Sequence, residues 1–99
     1  MGRSDDGATA APTAAAFKVL YFAWLREKAG VAAEEVAIPD GVGDVRGLIE
    51  WIRRRGGGPA AALADLAAVR VAVNQEFAGL DRPLAAGDEV AFFPPVTGG

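Results

Sequence analysis

Asp44-Val45-Arg46-Gly47-Leu48-Ile49-Glu50-Trp51-Ile52 is the stretch that decides the fold class. Val45, Leu48, Ile49 and Ile52 fall at the i, i+3, i+4, i+7 spacing of a single buried helical face, with Trp51 on its flank. Asp44 has the chemistry of an N-cap. Gly56-Gly57-Gly58 stops the helix; without a following Lys and Ser/Thr it is no phosphate loop, and the run reads as a flexible connector. Pro59 suits the first position of a short Ala/Leu helix reaching about Ala68.

On both sides of this helix the pattern changes to strands. Phe17 to Ala23 is aromatic and β-branched and predicts a strand. Trp24 to Ala29 predicts a turn or two of helix closed by Gly30. Glu34 to Ile38 alternates and predicts a second strand, ended by Pro39-Asp40-Gly41. Downstream, Val69 to Val73 predicts a third strand. Asn74-Gln75 predicts a tight turn, because Asn tolerates positive φ, and Glu76 to Ala78 a short return strand. Asp81-Arg82-Pro83-Leu84 is irregular, Gly87-Asp88 turns the chain, and Glu89 to Phe93 is the last strand, since Pro94-Pro95 cannot continue a ladder. One amphipathic helix needs one sheet to lie on. The expectation is therefore a two-layer α+β domain, a mixed sheet of about five strands on one main helix. The element order suits a ubiquitin-like β-grasp.

Composition narrows the chemistry. The 99 residues allow one small domain, and 52% apolar residues provide a core for it. Residues 1–16 are small, polar or alanine after Met1 and predict a disordered leader, ahead of a domain over 17–93 and a flexible tail over 94–99. The leader lacks the apolar segment of a secretory signal, and Asp6 stands where a myristoylation motif wants Ser or Thr. No apolar run approaches membrane-spanning length, so a cytoplasmic protein without a membrane partner is expected. The net charge of −3 argues against nucleic acid. The basic run Arg53-Arg54-Arg55 reads as a helix end complementing the macrodipole. The chain contains neither Cys nor His, and its sole serine, Ser4, lies in the leader. Disulfides, thiolate chemistry, imidazole bases, the commonest zinc ligands and a serine triad are all excluded. Reactivity is left to carboxylates, to Lys18 and Lys28, or to a chain terminus.

Charged residues fix the parity of the strands, because side chains alternate between faces. With Lys18, Glu89 and Arg70 directed to water, Phe17, Val19, Tyr21, Val71, Val73, Val90 and Phe92 face the helix. The other face then carries Leu20, Phe22, Ala72, Ala91 and Phe93, joined by Phe77 if the short strand keeps parity. A contiguous apolar outer face is expected to bind a partner.

From Val90 to Gly99 no side chain is charged. The prolines Pro94 and Pro95 keep the base of the tail extended, Val96 and Thr97 continue it, and Gly98-Gly99 make its tip the thinnest possible peptide. Six residues reach about 20 Å. Such a tip can enter an active-site passage too narrow for a side chain.

Phe17 to Gly99 resembles the MoaD family, the small subunits of molybdopterin synthase. The resemblance rests on Lys18-Val19-Leu20-Tyr21-Phe22-Ala23, on Leu25-Arg26-Glu27 with Gly30, on Ala72-Val73-Asn74-Gln75, and above all on Gly87-Asp88-Glu89-Val90-Ala91-Phe92-Phe93-Pro94-Pro95-Val96-Thr97-Gly98-Gly99. It implies a sulfur carrier. A MoeB-type adenylating enzyme, related to the ubiquitin activators, spends ATP to make a transient acyl-adenylate on Gly99. A separate sulfur donor converts this to a thiocarboxylate, and the tail delivers the sulfur to cyclic pyranopterin monophosphate inside a MoaE-type large subunit. The implied assembly is a heterotetramer, with no stably bound cofactor or metal on this chain. Phe22, Phe77 and Phe93 match positions that the family uses at its contact surface. Three alternatives remain open on the residues: another sulfur carrier, such as that of thiamine thiazole formation, a modifier conjugated to lysines through Gly99, or a binding module with an inert tail.

Overall fold

The computed structural model describes residues 16–95. Strand β1 is Ala16–Tyr21, helix α1 Trp24–Ala29, strand β2 Ala33–Ala37, helix α2 Val45–Arg55 and helix α3 Gly57–Ala62. A 3-10 turn at Leu66–Ala68 precedes β3, Arg70–Val73, β4, Glu76–Ala78, and β5, Glu89–Phe93. The strands form one five-stranded sheet in the order β2-β1-β5-β3-β4. β1 and β5 are parallel neighbours, and the other pairings are antiparallel. The first and last described strands thus lie side by side at the centre, the arrangement of a ubiquitin-like β-grasp.

Local chemistry accounts for most boundaries. The Asp44 carboxylate accepts from Gly47 N at 2.8 Å and starts α2. Gly30, at φ 81°, ends α1 in the left-handed conformation, its N–H donating to the Arg26 carbonyl. Asn74 (φ 51°) and Gln75 (φ 70°) both take positive φ, as a two-residue hairpin between β3 and β4 demands.

The inner face of the sheet meets α2. Phe17, Val19, Tyr21, Val36, Val71, Val73, Val90 and Phe92 are buried with Val45, Leu48, Ile49 and Ile52, and Leu25 and Leu63 close the ends of this core. Each large side chain sealed here contributes about 1.5–3 kcal/mol.

The structure corrects several sequence expectations. β1 stops at Tyr21, not Ala23, because Ala23 turns to φ 57° and begins the approach to α1. β2 runs one residue earlier than the alternation suggested. The glycine run is not a connector. Gly56 alone separates the helices, and Gly57 and Gly58 form the first turn of α3, leaving Pro59 in its third position. The reason is packing: a Cβ on Gly58 would overlap the Ala29 carbonyl and lie 3.0 Å from the Lys28 carbonyl oxygen, so only glycine lets α3 cross α1 this closely. Nor does one helix reach Ala68. α3 ends at Ala62, and Asp65, accepting from Ala67 N at 3.1 Å, starts the separate 3-10 turn.

Candidate functional site

The outer face is built row by row from strand register. Lys18 pairs with Glu35 on one side and Glu89 on the other, making a charged row at one end of the face. The next row runs Ala33, Leu20, Ala91, Ala72 and Phe77 across all five strands. Beyond it, Phe93 pairs with Arg70, and Phe22 lies next to the end of β5, its N–H donating to the Phe92 carbonyl at 3.0 Å. Phe77 is 79% exposed and Phe22 48%, whereas Leu20, Ala72 and Phe93 are half-buried. The Phe77 and Phe93 rings lie 5.8 Å apart and tilted.

Two placements differ from the sequence reading. Ala91 shares the outer row but is only 8% exposed, since a lone methyl on the central strand sits below its larger neighbours. It is the floor of the patch. Phe93 is not a free aromatic either; Phe77 leans on it and is the exposed ring.

The root of the tail belongs to this same end of the molecule. Pro94 and Pro95 follow β5 directly and are half-buried beside the Phe93 row. The expected functional tip, Val96, Thr97, Gly98 and Gly99, lies outside the described residues.

Two polar clusters brace the sheet. At the start of β5, Asn74 Nδ2 donates to Asp88 Oδ1 at 3.0 Å, and Asn74 Oδ1 accepts from Glu89 N at 3.0 Å. Ala85 N donates to Asp88 Oδ2 at 2.8 Å. The Asn74 bond and then the Ala85 N–H hold the Asp88 carboxyl below the usual carboxylate range. The turn before the last strand is thereby fixed. At the opposite sheet edge the Tyr21 hydroxyl donates to Glu34 Oε2 at 2.7 Å, and Arg55 meets the same oxygen at 2.8 Å with its guanidinium over the Trp51 ring. Burial, followed by the Glu34 bond, pushes the Tyr21 hydroxyl well above its ordinary pKa. Burial alone raises Glu34, but the bonds from Arg55 and Tyr21 outweigh it and leave the carboxyl lowered. This trio ties β1, β2 and the end of α2 together. Sequence patterning gave no hint of it, because the partners are far apart in the chain.

Ala23 was also missed. A non-glycine residue at φ 57°, ψ −135° is strained, and it stands between Phe22 on the outer face and Trp24 at the start of α1. Alanine in an apolar run carries no signal of such a turn. Among the described residues no cluster of three His, Cys, Asp or Glu side chains is placed to hold a metal, and no helix is long and apolar enough to cross a membrane.

The ThiS family model matches residues 19–99. The molybdopterin synthase sulfur carrier subunit of Escherichia coli (strain K12) is 46% identical over 82 residues, covering 83% of this chain and 98% of that protein. The subunit of the same name from Mycobacterium tuberculosis is 40% identical over 83 residues, covering 82% and 94%. Among solved structures, a Pyrococcus furiosus protein provisionally named as molybdopterin converting factor subunit 1 superposes with a TM-score of 0.67 at 38% identity, covering 83% of this chain and 99% of its own. The Haloferax volcanii small archaeal modifier protein 1 does so at 0.60 and 34%, with the same coverages. Matched along nearly all of its described length by a family model and by relatives that it spans almost end to end, the chain belongs to the ThiS family and, within it, to the MoaD group.

Proposed function

We propose that the chain is the small, sulfur-carrying subunit of a molybdopterin synthase, with Gly99 as the carrier residue. The observation that carries this reading is the 46% identity to a molybdopterin synthase sulfur carrier subunit covered over 98% of its length. The geometry supports it: the tail leaves the central strand beside an apolar face on which a tail-accepting partner can grip the domain.

A carboxylate resists nucleophilic attack. An adenylating enzyme first transfers AMP from ATP to the Gly99 carboxylate and releases pyrophosphate. Sulfide-level sulfur supplied by a donor protein then attacks the activated carbonyl carbon; the new C–S bond replaces the C–O bond to AMP, AMP leaves, and a thiocarboxylate remains. The chain has no cysteine to supply that sulfur itself. The tail next enters the large subunit, where the thiocarboxylate sulfur passes to cyclic pyranopterin monophosphate; two such transfers complete the dithiolene. Two small and two large subunits form the cytoplasmic assembly. This chain contributes the carrier atom and the docking face, and the large subunit contributes the groups that act on the pterin. A bulky Gly98→Leu tip blocks passage into either enzyme.

The likeness to an archaeal modifier protein favours a second reading, conjugation of Gly99 to lysines. Intact-mass spectrometry of the chain from its own cells separates the two. Replacement of one oxygen by sulfur at Gly99 is expected, together with molybdopterin formation when the loaded chain meets a large subunit. Covalent ladders with an unloaded free pool would establish the modifier instead.

A further inference from the structure

The apolar rows of the outer face are bounded by charges of different kind. At one end stand Glu35, Lys18 and Glu89, with two carboxylates to one ammonium. At the other, beside the root of the tail, stands Arg70, exposed and paired across the ladder with Phe93. Directly opposed residues of an antiparallel pair project from the same face, so Arg70 rises beside the Phe93–Phe77 aromatic pair. Its Nη1 donates to the Val69 carbonyl at 3.2 Å, which anchors one corner of the guanidinium and leaves the other donors to solvent. Among the described residues no carboxylate lies within ion-pair distance of it, while Arg55 and Arg82 have Glu34 and Glu76. Leu20, Ala91, Ala72 and Phe77 offer flat grease that resists water but does not fix rotation about the docking axis. Charges at the rim fix it.

We propose that Arg70 is a specificity-determining residue of the docking face, one that pairs with a carboxylate side chain of the large subunit next to the mouth of the tail passage. The inference rests on the synthase reading and extends it to the chemistry of the partner: an apolar floor with an acidic group at the tail end. Docked in the reverse orientation, Arg70 would meet the part of the partner matched to Glu35 and Glu89, and repulsion would reject that pose. The tail is thereby aimed as well as held.

The test is association of the full chain with purified large subunit, measured by stopped flow and titration at low and high salt, with wild type, Arg70→Glu and Phe77→Ala. Arg70→Glu is expected to weaken binding about tenfold or more at low salt, largely through slower association, and to approach wild type as salt screens the pair. Its melting temperature should match wild type, because the position is exposed. If wild type binds, Phe77→Ala weakens binding, and Arg70→Glu stays within about twofold of wild type, the Arg70 inference is overturned and the synthase reading stands. A loss that is the same at all salt concentrations also overturns it, since it assigns Arg70 a packing role. If the wild-type chain binds no large subunit, the synthase reading falls and this inference with it.

Discussion

On the inner face of the sheet Phe92 is fully buried, and Phe17 and Tyr21 are sealed beside it under α2. On the outer face of the same sheet, Phe77 of β4 is 79% exposed and Phe22, just past the end of β1, is nearly half exposed. The two faces use the same residue types for different ends. Folding explains the inner set completely, because every large side chain there lies against another. It explains the outer set only in part, because Phe77 and Phe22 leave much of their apolar surface in water. The difference is the reason the outer phenylalanines are proposed as a docking face.

The largest effect should come from a change that touches neither face. Deleting Gly99 is expected to abolish sulfur loading and molybdopterin formation while circular dichroism and melting temperature stay unchanged. Retained activity in the truncated chain would end the carrier reading. Next, Phe92→Ala should cost about 3–5 kcal/mol of folding free energy, measured by denaturant titration, because it opens a cavity in a sealed core. Phe93→Ala, half-buried on the other side, should cost clearly less; equal losses would mean that the outer face is as structural as the inner one.

Phe77→Ala sharpens the contrast from the other direction. Its folding cost should stay within about 1 kcal/mol, the scale of its pairing with Phe93. Calorimetry against the large subunit should show a loss of about 2 kcal/mol or more, roughly thirtyfold in Kd. The smallest effect concerns the edge that braces the inner face. Glu34 has a lowered pKa in the folded state, so its ion pair stabilises the fold above the unfolded carboxylate pKa of about 4.3, and that contribution is lost as pH falls through the folded value. Tyr21 is shifted upward, so its contribution is present below about pH 10 and is lost as pH rises through the folded value. Melting temperature should therefore fall at both extremes. Glu34→Gln should flatten the acid limb at a cost near ~1 kcal/mol at neutral pH, and an unchanged acid limb would show that the pair contributes nothing.

Much of this was legible in the residues because the signals are local. The period of Val45, Leu48, Ile49 and Ile52 needs only helical geometry, and Asp44 caps the helix whatever lies around it. Asn74-Gln75 dictates its own turn. Lys18, Arg70 and Glu89 set the parity of their strands, because a charge will not enter a dry core without a partner. The family, too, could be read from the uninterrupted stretch Gly87 to Gly99.

What the tertiary structure alone decided depends on distance through space. Gly57-Gly58 looks like a linker until the Ala29 carbonyl is found against Gly58, leaving no room for a Cβ there. Phe77 and Phe93 are equivalent aromatics in sequence, yet strand register makes one the support and the other the exposed ring. Ala91 has the parity of a surface residue but lies between β1 and β3, too short to reach past its neighbours. Tyr21, Glu34 and Arg55 meet only once two strands and a helix are assembled. Backbone preference and polarity act over a few residues and are written in the chain. Exposure, close approach and charge pairing are properties of neighbours that only folding supplies.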